Sequence, residues 1–435
     1  MKLGSVRLFA AFLLALLVCE IWGGEYDFTI PDSGKKPYEL GGWVELQYLP
    51  QRLDSDSVLY KLSYYNSNPG AYLHEVNALA EIRGSYRWDI LKANLLTHHE
   101  FSEANQNEKW TNKIYEGYLA ITPSANFDLE AGKKQILWGK GYAWNPVGFI
   151  NPPKDPNDPE LDHEGRVIAS ADIIKSFSAG ALSNLGLSIL FLPVADDWAN
   201  TDLGDNGDLN YAAKLYLLCW DTDLDFIYFN GRNQPDSYGV DFARNLYENF
   251  EVHGELGLKR NVQHPVLNAE GITSITRKDQ LSFLLGLRYL TADNTTFIAE
   301  YYRNGAGYNR SELRDFFSFQ EDAYIQWLDT GDASAINRAI NLTRPYYRQR
   351  NLGIDYCYLK ISQKEPFNIL YFNPWITIIA NLQDHSYNLQ PVISYVPVTN
   401  LELDLRVGIP IGQSETEFGE KLDSYKPSFW VKYYF

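Results

Sequence analysis

From Leu40 onward the chain falls into tracts of about ten residues in which apolar and polar side chains alternate, separated by turn-forming residues. In His74 to Trp88, the set Val76, Ala78, Ala80, Ile82 and Tyr86 opposes Glu75, Asn77, Glu81, Arg83 and Arg87. Ile90 to Phe101 sets Leu91, Ala93 and Leu95 against Lys92, Asn94, His98 and Glu100, and Leu401 to Ile409 is nearly strict. A β-strand sends alternate side chains to opposite faces, so each tract predicts a strand with one apolar and one polar face. The further tracts are Gly42–Leu49, Tyr115–Ile121, Phe127–Gln135, Val167–Phe177, Leu185–Leu192, Tyr211–Trp220, Leu224–Phe229, Phe250–Lys259, Gln280–Leu290, Thr295–Arg303, Tyr347–Ile361, Ile369–Ala380, Leu389–Val396 and Pro427–Phe435.

Charge sorts onto one parity through many consecutive tracts. A soluble sandwich alternates as well, but its polar face meets solvent and each core has fewer strands. A lipid-facing surface explains the sorting better, because Arg or Lys there costs roughly 2–4 kcal/mol at mid-membrane. The expected fold is therefore all-β: a transmembrane, antiparallel, up-and-down β-barrel. About seventeen tracts and the even strand number of single-chain barrels put the count at about sixteen, within a range of about 14 to 18. In the last nine residues Phe429, Val431, Tyr433 and Phe435 face one side and Ser428, Trp430, Lys432 and Tyr434 the other. This tail resembles the closing strand of a bacterial outer-membrane β-barrel, in which a terminal Phe is the assembly signal. The resemblance implies the barrel-assembly machinery and outer-membrane lipid as partners.

Composition agrees. Aromatic residues make up 15% of the 435, with 31 Tyr and 11 Trp, which suits girdles at two membrane interfaces. Mean hydropathy is -0.32, and only the N-terminus approaches the run of about 20 apolar residues that a spanning helix needs. Lys2, Arg7, the run Leu8–Val18 and Gly23-Gly24 read as a secretory signal over 1–24, leaving one domain over 25–435. Val18 stands where lipidation of Cys19 would call for a small residue. The remaining Cys219 and Cys357 form no framework; by strand parity they face opposite sides of the wall and stay unbridged. A net charge of -17 excludes nucleic acid as a partner.

Two stretches break the pattern. The first is a Pro-rich loop at 138–165, with five prolines from Pro146 to Pro159. Such backbone cannot join a ladder, so inside a barrel it must line a wet cavity or pack against protein. The run Gly132-Lys133-Lys134-Gln135, Trp138-Gly139, Asn145-Pro146 and Asp155-Pro156 resembles a broad group of porin-like outer-membrane barrels. Lys133-Lys134 stand where that group more often has Arg, which weakens transfer of a bidentate anion contact. Lys134, Trp138, Asn145, Asp155 and Arg166 are the constriction candidates here, joined by Arg83, Arg87, Glu100, Glu255 and Arg288 from inward strand positions. The second stretch is a long loop at 304–345 with helical character over Glu312–Leu328 and Ala333–Leu342, where Asp332 or Ser334 is placed to cap the second helix. It either stays outside or folds inward.

Other chemistry finds little support. Asp155, Asn157, Asp158, Glu160 and Asp162 lack the glycine turn and spacing of an EF-hand. His98 and His99 point opposite ways in a strand, leaving only His98 luminal beside Glu100. No nucleophile elbow and no haem-attachment motif occurs, so neither catalysis nor a cofactor is expected. The inward charges, among them Asp355, Glu402, Asp404 and Arg406, are mixed with acids in excess, which predicts passive diffusion of small polar solutes or ions with a lean toward cationic or neutral ones. The competing expectation is a structural sheath around a periplasmic or extracellular multihaem cytochrome. Homo-oligomerisation is compatible with either.

Overall fold

The computed structural model describes residues 36–104, 107–161, 163–196, 198–347 and 350–435. The signal expected over 1–24 lies outside them, as do Cys19 and Asp162. The strands are β1 (Tyr38–Leu53), β2 (Tyr72–Trp88), β3 (Leu91–Ala104), β4 (Asn107–Ser124), β5 (Phe127–Lys134), β6 (Arg166–Ser176), β7 (Leu182–Pro193), β8 (Leu209–Cys219) and β9 (Thr222–Gly231). They continue as β10 (Gln234–Tyr247), β11 (Phe250–Leu267), β12 (Thr273–Leu290), β13 (Thr295–Arg303), β14 (Asp355–Gln363), β15 (Phe372–Asn381), β16 (Ser386–Val398), β17 (Leu401–Ile411) and β18 (Asp423–Tyr434). Each pairs antiparallel with its sequence neighbours, and β1 pairs with β18, so the sheet closes and has no edge.

Eighteen strands is the top of the expected range rather than its centre of sixteen. The strand the pattern hides is β10, where Pro235 and Gly239 read as turn residues. Gly239 is glycine for a tertiary reason: a Cβ there would lie 3.0–3.1 Å from Val147 and Phe149. The β14 tract begins at Asp355, not Tyr347, because the preceding helix runs on to Tyr347.

Directly opposed residues of an antiparallel ladder share a face, so register carries one face around the whole barrel. Trp430 lies opposite Gln47, Gln47 opposite Asn77 and Asn77 opposite Ser102. This face looks inward. The other exposes Phe429, Val431, Leu256, Leu285, Ile189 and Leu403 to the surroundings. The expected parity holds for the terminal strand and for Glu75, Glu81, Arg83, Lys92, Glu255, Arg288 and Lys432. Two assignments are corrected. Asp355 pairs with Arg303 on the outward parity, accepting from the Tyr301 hydroxyl at 2.6 Å and lying 3.3 Å from the Arg303 guanidinium. Cys357 opposes Tyr301 and shares the outward face with Cys219; both are free thiols, although not for the reason of opposite orientation.

The two ends differ. Turns of two residues close β2–β3, β4–β5, β8–β9, β10–β11 and β16–β17 at the end where β1 begins and β18 finishes. Asp89, Trp220, Asp221 and Asn400 take the positive φ that such tight turns require. The opposite end carries the long connections and the helices α1 (Val58–Tyr64), α2 (Arg310–Thr330) and α3 (Ser334–Tyr347). Asn309 and Glu312 form a capping box at the start of α2, and Asp332 accepts from the Ser334 amide at 3.0 Å at the start of α3. The helices pack through Val58, Leu62, Phe316, Phe317, Phe319, Ile336 and Ala339, with Leu267 at the tip of β11. Lys61 reaches Glu321 at 2.7 Å, and the 412–422 connection offers Glu420 to the Val58 amide at 2.6 Å. The long segment therefore stays at the end of the barrel as a helical cap.

Leu285, 56% exposed, sits on β12 between the Phe283–Tyr301 and Phe250–Tyr289 ring pairs. Leu285→Arg is expected to destabilise the barrel in lipid vesicles by about 2–4 kcal/mol in a denaturant titration, and by much less in a polar detergent.

Candidate functional site: the lumen and its neck

Residues 135–165 leave β5 at Lys134 and rejoin β6 at Arg166, two residues that oppose each other in the ladder. Pinned at both feet, the segment folds into the barrel. Its peptide groups must then find partners inside, because water cannot serve all of them. Two carboxylates on the far wall do so. Glu255 of β11 accepts from the amides of Lys140 and Gly141 at 2.6 Å and of Val147 at 3.1 Å. Glu300 of β13 accepts from the amides of Tyr142 and Ala143 and from His253 Nε2 at 2.9 Å. The His253 ring occupies the space a side chain at Gly286 would need. Lys154 closes the fold by donating to the Gly141 carbonyl at 2.6 Å.

One side of the segment is apolar. Trp138, Val147, Phe149 and Ile150 pack against inward positions of β6 to β9, among them Ile168, Leu190, Leu192, Ile227 and Phe229. Gly257 lets the Pro146 carbonyl approach to 2.4 Å of where a Cβ would stand. In this sector the rule of polar inside and apolar outside fails, because protein rather than water covers the wall. Trp144 inserts among Tyr302, Tyr356 and Tyr358 in a second cluster.

The open space is displaced to the seam where β16 to β18 meet β1 to β3. Among the described residues it includes two chambers, of about 560 Å³ toward the long-loop end and about 250 Å³ deeper in. Both are bordered by Gln47, Leu79, Asp158, Leu161, Arg406 and Trp430, which form the neck. The Arg406 guanidinium lies 3.6 Å over the Trp430 ring, donates to Asp158 at 3.1 Å and is held by Asp404 at 2.9 Å. Burial pushes the Asp158 carboxyl above the usual aspartate range, and Arg406 only partly reverses it. The tip is tied further by Asn388 to Asn157 at 2.7 Å and by Arg350 to Asp155 at 2.9 Å.

Beyond the shared residues the chambers differ in charge. The outer one carries Arg350, Lys421 and Lys426 against Asp155 and Asp423. The inner one carries Glu45, Glu81, Glu160, Glu402 and Asp404 against Lys432 alone. Among the described residues, no three His, Cys, Asp or Glu side chains converge to hold a metal ion.

Of the sequence candidates, Asp155 borders the outer chamber and Glu255 anchors the segment. Trp138 and Asn145 are structural: the Asn145 amide donates to the Trp138 carbonyl, and both line a separate cavity of about 320 Å³ behind the segment. Arg166 clamps Asp202 bidentately and donates to the Ile150 carbonyl at 2.9 Å, while Lys134 pairs with Glu130. Arg83, Arg87 and Arg288 are inward but exposed; Arg83 and Arg87 lie toward the short-turn end from Glu81 and Arg288 stands opposite Glu251 near that end, away from the neck. Glu100 is inward opposite Leu79. His98 is luminal as expected, but its partner is Glu81 at 2.9 Å rather than Glu100. The pattern identified Arg406 and Lys432 as inward charges, but nothing in it marked Gln47, Asp158, Arg406 and Trp430 as neighbours; only register and the path of the segment bring them together.

No protein-family profile and no curated protein matches the chain. Among solved structures, a triple mutant of the Rh. blastica porin is 8% identical over 92% of this chain and 100% of its own, with a TM-score of 0.45. OccK7 of Pseudomonas aeruginosa is 10% identical over 92% and 98%, at 0.47, and OccK11 of the same organism 13% identical over 91% and 95%, at 0.46. The class of the chain, a closed antiparallel β-barrel with one segment folded into its lumen, is read from its own ladders.

Glu255→Ala would leave three backbone amides without an acceptor, at a cost on the order of 3–5 kcal/mol. The expected result is faster protease cleavage within 138–165 at an unchanged strand content by circular dichroism.

Proposed function

We propose that the chain is an outer-membrane channel for passive diffusion of small polar solutes or ions. The observation that carries the reading is the two-chambered opening with a charged neck, inside a closed barrel whose outer surface is apolar. Such an outer face requires lipid, since an exposed apolar band of this extent is not sustained in water. The surplus of carboxylates in the inner chamber favours cationic or neutral solutes over anions. The positioned residues are Asp158 and Arg406 at the neck, Asp155 and Glu160 beside it, and Glu255 and Glu300 as anchors. A sheath around a cytochrome is supported less well, because residues 135–165 already occupy the lumen from β11 across to β17.

The purified protein in a planar bilayer is expected to conduct, with a reversal potential in a salt gradient that favours the cation. Anion preference would overturn the selectivity, and absence of conductance would overturn the channel.

Acidification should act at the neck. Because burial raises the Asp158 carboxyl above the ordinary aspartate range, falling pH neutralises it before typical exposed carboxylates and leaves Arg406 with Asp404 as its remaining carboxylate partner. Cation preference is therefore expected to decline on that early limb, and Asp158→Asn to reduce the early limb while leaving the later one.

A further inference from the structure

The inner chamber holds more carboxylate than its own bases can neutralise, and the kind of partner each acid has is informative. Glu45 and Asp404 face cations of the chain, Lys432 at 3.5 Å and Arg406 at 2.9 Å. The other three have neutral donors or a histidine. Glu402 accepts from the Tyr434 hydroxyl at 2.7 Å and the Ser394 hydroxyl at 3.2 Å. Glu160 accepts from the Tyr142 hydroxyl at 3.1 Å, which in turn accepts from the Lys360 ammonium at 2.5 Å, and Glu81, among the described residues, has His98 alone, through one oxygen. Glu81 is 2% exposed, borders the chamber, and its second oxygen has no partner; Asp404 likewise keeps one oxygen unpaired. A buried carboxylate left short of donors is costly, and a cation arriving from outside removes that cost.

The form of that cation follows from where the acids stand. The carboxylates do not converge for a metal ion. They come from β2, the inward segment and β17, around a chamber that shares the neck residues with the outer one. The apolar contributions between them are Leu79, Leu161 and the aromatic rings of Trp43 and Trp430. The chain shows how an amine sits in such a wall: the Lys432 ammonium lies 3.9 Å over the Trp43 ring with Glu45 beside it. Separated acids with apolar surface between them fit a molecule with separated positive charges on an aliphatic chain.

We propose that the inner chamber is a binding site for linear aliphatic di- or polyammonium solutes, with Glu81, Glu160 and Glu402 receiving the ammonium groups. The proposal rests on the channel reading for its physiological meaning but not for its geometry. Charge is distributed so that one ammonium engages one carboxylate at a time, and a two-headed solute gains a second contact without a second loss of translational freedom.

The test uses the full-length protein in a planar bilayer with 1,5-diaminopentane, n-pentylamine and magnesium chloride added separately on the short-turn side. The diamine is expected to interrupt single-channel current at concentrations at least tenfold below those of the monoamine or magnesium. Glu81→Gln combined with Glu402→Gln should raise the diamine concentration needed by tenfold or more. Equal block by diamine and monoamine, stronger block by magnesium, or an unchanged double variant would each overturn the site. Calorimetric titration of the same amines into detergent-solubilised protein separates this failure from that of the channel. Diamine binding that the double variant loses, in a protein that does not conduct, would retain the site and reject the channel; absence of binding in that protein would reject both. Retained heat-modifiable migration on electrophoresis verifies that the double variant is folded.

Discussion

A chain laid across the inside of a barrel brings unpaired peptide N–H groups into a place where few partners exist, and where those groups are satisfied decides the lumen. Here five consecutive or near-consecutive amides, from Lys140 to Val147, converge on the carboxylates of Glu255 and Glu300. Charge-assisted hydrogen bonds of this kind are roughly twice as strong as neutral ones. They hold the segment against β11 and β13, and the apolar contacts of Trp138, Val147 and Ile150 hold it against β6 to β9. The space left is therefore eccentric, lying beside the seam of the barrel.

That eccentricity explains which parts of the molecule were legible in the sequence. Strand alternation reflects two different surroundings, so it was readable wherever a strand has an exposed apolar face outward and a polar lumen inward. The terminal strand and the 74–101 hairpin show this. Alternation faded where the inward segment replaces water. Leu190, Leu192 and Ile227 are inward yet apolar, and Gly239 and Gly257 are glycine because the segment lies on them. The hidden strand β10 belongs to this sector. Asp355 was misplaced for another reason: it lies at the long-loop rim, where the outward face meets polar surroundings and Tyr301 and Arg303 can partner a carboxylate.

The site was legible only in part because a one-dimensional pattern sorts residues by face but not by height or by neighbour. Arg83, Arg87 and Arg288 share the inward face with Arg406, yet only Arg406 meets the tip of the segment. What distinguishes it is register, Arg406 opposite Ser428 and Asp404 opposite Trp430, together with the reach of residues 155–160 from their pinned feet. Trp138 and Asn145 stand out in the sequence through the Trp-Gly and Asn-Pro steps of a Pro-rich stretch that resembles porin-like barrels. Their role proves to be internal to the segment, with Asn145 tying back to the Trp138 carbonyl.

The last strand joins these threads. Phe435 exchanges backbone hydrogen bonds with Gly42 at 3.0 Å in both directions, and its ring lies where a side chain at Gly42 would stand. The same strand sends Ser428, Trp430, Lys432 and Tyr434 inward, three of them into the inner chamber. Closure and lumen chemistry are thus coupled through one register: a slip of one residue at the seam would turn Phe429 and Val431 inward and Trp430 and Lys432 outward. It would break the Lys432–Glu45 pair and remove the aromatic face beneath Arg406. The alternation of the final nine residues therefore specifies the closing register and, through it, one wall of the neck.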